Sequence, residues 1–194
     1  PASGEASTIP VEFTLNGQIR YQDRLYGELQ EPGTFETWYG FTGTEEPKPV
    51  RFATVDVKNS AGTTLATTTT DANGEYSATL TGEGMLTLRV LARSSSPPIT
   101  IRTPYDGHII AVTKPFGAQA GTVTVNAEIP YQLEDGTDFV GGAFNILDVF
   151  TAGAEFVKER SGDFPRPLTA FWKPGNAFGT GFCKPTSGCP NGSK

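Results

Sequence analysis

The stretch LATTTTDANGEYSATL, residues 65–80, decides how this chain is read. Threonines and small residues run up to Thr70, and Tyr76, Ala78 and Leu80 alternate with polar residues after the turn Asp71-Ala72-Asn73-Gly74. β-Branched residues suit a pleated strand, and a period of two marks a strand with one buried face. The Asp71 carboxylate can bond back to the turn backbone, and Asn73-Gly74 accepts positive φ at low cost. A hairpin-like unit follows. The turn alone accounts for these residue types, so calcium at Asp71 and Asn73 is not required to explain them.

Working outward, Val50 to Val57 alternates again, with Ala53, Val55 and Val57 toward a core and Asp56 toward water, and Asn59 to Gly62 turns the chain. Leu86, Leu88, Val90 and Ala92 form the next strand, SSSPPIT breaks it, and Ile99–Arg102, His108–Val112 and Thr122–Ala127 supply three more. Toward the N-terminus, Val11, Phe13 and Leu15 share one face; Asn16-Gly17 reads as a bend, with Ile19 and Tyr21 on a second strand. Residues 24–48 lack periodicity and read as a long loop carrying the aromatics Phe35, Trp38, Tyr39 and Phe41. About seven short strands at this spacing predict a mainly β protein built as a sandwich.

The pattern changes after Asp138. Ala143, Ile146, Leu147, Phe150, Ala154 and Val157 recur every three or four residues, which predicts one amphipathic helix over 141–162, with Lys158, Glu159 and Arg160 near its end and Gly162 beyond it. A short strand in PLTAFWKPG, 167–175, follows. The organisation expected is an N-terminal strand-like tail over 1–15, the sandwich over 16–130, and a helix-strand appendage over 131–194 that includes a cysteine loop. One helix and one strand cannot bury their apolar faces alone, so they dock on the sandwich or on another chain.

Composition excludes several functions. The formal net charge is −6 with no basic stripe, which argues against nucleic acid. No uninterrupted apolar run approaches the ~20 residues of a membrane span. The start PASGEAST, without Met, reads as a trimmed terminus and suggests export. Cys183 and Cys189 lie in a Gly- and Pro-containing loop that can close as a disulfide, in keeping with secretion, whereas a zinc site would need ligands that a chain with the single histidine His108 is short of. Neither Glu45-Glu46 nor Glu134-Asp135 looks like a catalytic pair, since both sit in polar, turn-like stretches. GGAFN, 141–145, reads as a helix entry rather than a phosphate loop. No cofactor, metal site or catalytic group is expected.

Ile19-Arg20-Tyr21-Gln22-Asp23, Pro49 through Val57, and Thr70-Asp71-Ala72-Asn73-Gly74-Glu75-Tyr76 together resemble the carboxypeptidase regulatory-like domain. The resemblance covers residues 16–92 and implies a transthyretin-like, Ig-like β-sandwich whose matching positions are structural, hence an accessory extracellular domain. GGAFNILDVFTAGAEFV with PLTAFWKPG is similar to a region that precedes a zinc-peptidase-like domain in some secreted bacterial proteins, but the HExxH motif of such enzymes is missing. Some prealbumin-like domains of surface fibres carry a Lys–Asn crosslink; the first-strand position here is Arg20, so that chemistry is not expected.

Three functions fit. The first is a non-catalytic secreted structural protein that joins other proteins or self-assembles into a filament or surface layer, with Val11, Phe13 and Leu15 as the assembly strand unless that segment packs on its own sandwich. The second is an accessory fragment of a secreted zinc peptidase. The third is a carbohydrate-binding module using Trp38, Tyr39 and Phe41, with Trp172 as a further candidate.

Overall fold

The computed structural model describes residues 6–30, 37–131 and 140–173. Strand β1 (Val11–Gln30) runs through the centre of the first sheet. Its first half pairs antiparallel with β5 (Glu75–Gly82) and parallel with β9 (Gly121–Thr124). Its second half pairs antiparallel with β2 (Thr37–Pro49) and parallel with β10 (Ala127–Ile129). The second sheet has the order β11-β7-β6-β3-β4, from β3 (Ala53–Lys58), β4 (Thr64–Thr69), β6 (Met85–Ser95), β7 (Pro98–Arg102) and β11 (Leu168–Phe171). Strand β8 (Ala111–Gly117) pairs with the first part of β6. Among the described residues the result is a β-sandwich with one helix, α1 (Val140–Ser161), as the two periodicities predict.

The core follows the period-two pattern. Leu15, Ile19, Val55, Val57, Leu88, Ile101 and Ile129 are fully buried, and Phe13 meets Phe116 edge to face with ring centroids 6.4 Å apart. The turn at residues 71–74 forms as expected, with Asp71 Oδ1 accepting the amides of Asn73 at 2.8 Å and Glu75 at 2.9 Å. It does not close a hairpin: β4 pairs with β3 in the second sheet and β5 with β1 in the first, so the turn carries the chain from one sheet to the other. Only Gly74 in that turn takes positive φ, at 75°.

The structure corrects the sequence reading at several points. Asn16-Gly17 is not a bend between two strands. It is the place where one continuous strand changes partners, from β5 and β9 to β2 and β10. A Cβ on Gly17 would lie 2.1 Å from the Val125 carbonyl oxygen, so the glycine permits a close backbone approach rather than a turn. Residues 24–48 are not a loop either. Over its described part the segment continues β1 to Gln30 and returns along β2 as an antiparallel ribbon, with an irregularity between Arg24 and Tyr26. Tyr26, Glu28 and residues 42–47 are exposed, so the ribbon has little apolar alternation to betray it.

The strand expected from Val50 begins only at Ala53. Phe52 adopts φ 55°, which places a sharp turn before the strand. Buried Thr70 completes that turn, its hydroxyl accepting the Ala53 amide at 2.8 Å and donating to the Val50 carbonyl at 2.6 Å. The membrane expectation is also qualified: α1 has 22 residues and a mean hydropathy of 1.2 over its most apolar window, enough to cross a membrane by length and composition alone. Of that window 39% is buried in the sandwich, where Phe144 and Leu147 fill the core.

Candidate functional site

Helix α1 is fixed to the sandwich through one face by two polar clamps. The turn at Phe52 aims Arg51 at the helix, where its Nε donates to Asp148 Oδ1 at 2.5 Å and its Nη1 to Glu155 Oε2 at 3.1 Å. Tyr21, buried in the centre of β1, donates its hydroxyl to Asp148 Oδ2 at 3.3 Å. Burial, then the nearby carboxylates of Asp148 and Asp23, push the Tyr21 phenol far above its ordinary value. Burial weighs against the Arg51 charge, but the bonds to Asp148 and Glu155 outweigh it and hold the guanidinium above its usual range. In the second clamp Lys48 Nζ lies 2.6 Å from Asp23 Oδ2, and Asn145 donates its amide to Asp23 Oδ1. The bond to Asp23 raises the Lys48 pKa.

The second clamp borders a cleft of about 580 Å³ between the ribbon and the start of α1, lined by Asp23, Arg24, Lys48, Tyr131, Asn145 and Trp172. Its charged groups are engaged with one another. Arg24 Nη1 donates to the Tyr131 hydroxyl at 3.3 Å, and its guanidinium carbon sits 4.8 Å from that ring's centroid. Trp172 lies so close to the helix entry that a Cβ on Gly142 would be 2.6 Å from its indole ring. A Cβ on Gly141 would be 2.8 Å from the Pro130 carbonyl oxygen. The two glycines of GGAFN thus let the helix enter between β10 and Trp172. That cleft is a joint between elements.

The opposite side of α1 is different in character. Val149 is 59% exposed, Phe156 58% and Val157 40%, on a helix whose inner face is buried. An apolar groove of about 200 Å³ runs beside it, lined by Pro98, Ile99, Phe150, Ala154, Val157 and Leu168. Strand β11 closes the groove on one side and pairs parallel with β7. Its other edge has no partner strand among the described residues, and Phe171 at its end is 53% exposed. An exposed apolar helix stripe, a groove and an open strand edge therefore adjoin. Such a combination can bind polypeptide by apolar contact and main-chain hydrogen bonds.

The residues singled out from sequence fall elsewhere. Val11, Phe13 and Leu15 pair with β5, and Phe13 and Leu15 pair with β9 as well and lie in the core, so this segment packs within its own sandwich. Trp38, Tyr39 and Phe41 belong to the ribbon, in register with Leu29, Glu28 and Tyr26. Cys183 and Cys189 lie outside the described residues. His108 is a surface residue, with Nδ1 3.0 Å from Asp106 Oδ2 and a side chain 81% exposed. Among the described residues no group of three or more His, Cys, Asp or Glu side chains is placed to hold a metal ion. Sequence reasoning missed the open edge of β11 because strand order is not written in local periodicity.

No family model matches the chain, and no curated protein matches it. Among solved structures, the shaft pilin SpaA from Lactobacillus rhamnosus GG, crystallised as a double mutant, is similar over 63% of this chain and 51% of that one, with 14% identity and a TM-score of 0.31. The match thus spans about half of that pilin chain's length.

Proposed function

We propose that this chain is a non-catalytic structural and interaction protein of the cell exterior, which self-assembles through the outer face of α1 and the adjoining strand β11. The observation that carries this reading is the exposure of Val149, Phe156 and Val157 on a helix otherwise anchored by Arg51 and Asp148. Large apolar side chains grouped on one rigid element mark a contact surface. The anchoring matters, because a face held by ion pairs and core packing presents those side chains in fixed positions and lowers the cost of ordering them on association. The test is light scattering with electron microscopy on the purified chain beside Phe156→Lys. Assemblies that shrink in the variant support the reading; a parent chain that stays monomeric at every concentration overturns it.

A second reading follows from the packing of Phe13 and Leu15 in the chain's own core, which takes the Val11 to Leu15 segment out of use as an assembly strand. In it the same face of α1 is covered by another domain of a longer polypeptide, as an accessory segment beside a zinc-peptidase-like domain would be. A gene that encodes an HExxH helix downstream of Lys194 would support this reading, and a stop codon there would remove it.

A further inference from the structure

Sheet edges are open templates for pairing, and proteins guard them with proline, charge or cover. The edges of this sandwich differ in how they are guarded. Strand β2 carries Glu45, Glu46, Pro47 and Pro49, and β8 carries Lys114 and Pro115. Strand β4 turns toward the other sheet, where Thr68 Oγ1 donates to the Ser77 carbonyl at 3.0 Å. Strand β9 is uncharged but offers only glycine, threonine and a half-covered Val123. Strand β11, Leu168-Thr169-Ala170-Phe171, has neither proline nor charge within it, and the apolar groove lies at its N-terminal end, where Leu168 lines it.

The orientation of its backbone groups follows from one bond. The Trp172 amide donates to the Arg102 carbonyl at 2.8 Å, toward β7. Successive residues of a strand point their N–H and C=O groups to opposite edges. Leu168 and Ala170 therefore face β7 with Trp172, and Thr169 and Phe171 turn their donors and acceptors to the open edge. Arg166 stands exposed at the entrance to the strand, lines the groove, and has no ion-pair partner among the described residues.

We infer that the open edge of β11 is a strand-acceptor site for an extended polypeptide segment with apolar side chains at alternate positions and a carboxylate at the end nearest Arg166. The apolar side chain opposite Leu168 would enter the groove formed by Ile99, Phe150, Ala154 and Leu168 while the backbone pairs with Thr169 and Phe171. The carboxylate chemistry comes from Arg166, whose planar fork matches a carboxylate in two parallel hydrogen bonds. This names the partner of the proposed contact face and rests on that reading only for the claim that the α1–β11 joint is a binding surface.

The test uses the full chain and a short fluorescent peptide that alternates valine and threonine and ends in two glutamates, beside a twin ending in two lysines. Anisotropy should show the acidic peptide binding at least about ten-fold more tightly than its twin. Thr169→Pro should weaken binding by about ten-fold or more, because it removes an outward donor; its missing N–H is not used by the bond ladder to β7, so the thermal midpoint should hold. Arg166→Glu, a surface change, should reverse the preference between the two peptides, and it decides the matter even if Thr169→Pro fails to fold. Absence of binding by the acidic peptide, or binding indifferent to both variants, overturns the inference. A parent chain that binds the peptide yet stays monomeric keeps this inference and removes self-assembly; one that self-associates but ignores the peptide does the reverse.

Discussion

Arg51 and Asp148 are 97 residues apart in the chain and 2.5 Å apart in the fold, joining the turn before β3 to the middle of α1. Both side chains are about three-quarters covered, at 23% and 22% exposure, so water screens the pair less than it would a surface pair. Removing one partner leaves the other charge poorly solvated against the sandwich. Asp148→Asn should therefore lower stability by about 1–3 kcal/mol, read by denaturant titration, and raise amide exchange along α1 before it does so in β3 or β6. Uniform exchange throughout the fold would mean that this bond does not anchor the helix.

Phe144 is buried to 1% on the inner face of α1. Phe144→Ala should cost about 3–5 kcal/mol through lost burial and the cavity it leaves. Circular dichroism during chemical unfolding measures this directly. A loss well below 1 kcal/mol would show that the helix is not part of the core.

Two glycines make opposite predictions. Gly17→Ala forces a Cβ to within 2.1 Å of the Val125 carbonyl oxygen, a backbone atom that cannot swing aside, and should destabilise by at least about 1–3 kcal/mol. Gly153 lies within α1 with nothing within 4 Å of a Cβ, so Gly153→Ala should stabilise by up to about 1 kcal/mol through helix propensity. Thermal midpoints of the two variants should move in opposite directions.

Tyr21 has its pKa raised by burial first and by Asp148 and Asp23 next, and Tyr76 is raised by burial, with its hydroxyl donating to the Val125 carbonyl at 2.7 Å. A phenol raised in the folded state binds more protons there than in the unfolded chain once pH passes the unfolded value. Unfolding stability then falls as pH rises, and the contribution is fully present below about pH 10. Each such phenol should add a slope of about −1.4 kcal/mol per pH unit in the alkaline range. Tyr21→Phe should remove one slope of that size in a stability titration above pH 10; an unchanged profile would contradict the buried, protonated assignment.

The fold was legible where one face of a strand is dry and the other wet. Ala53, Val55 and Val57, or Leu86, Leu88 and Val90, alternate because a core stands on one side only. The helix was legible for the same reason at its own period, through Ala143, Leu147 and Ala154. The ribbon beyond Arg24 was not, since its exposed residues have no dry face to report, and Gly17 looks like a turn signal although its purpose is close approach to Val125. The candidate site was harder still. Val157 belongs to the helical apolar pattern yet is 40% exposed, and whether such a residue faces core or partner depends on which strands lie beneath the helix. Asp148, an acid amid an apolar helical run, was the local sign that this face meets a cation.

The proposed self-association joins copies of the chain through the outer face of α1 and the edge of β11. Hydrogen exchange by mass spectrometry on the intact chain, dilute and then concentrated, tests it most directly, because protection gained on association maps the joint. Concentration-dependent protection confined to peptides covering Val149 to Val157 and Leu168 to Phe171 is the expected result. Protection that appears elsewhere, or none at any concentration, would contradict it.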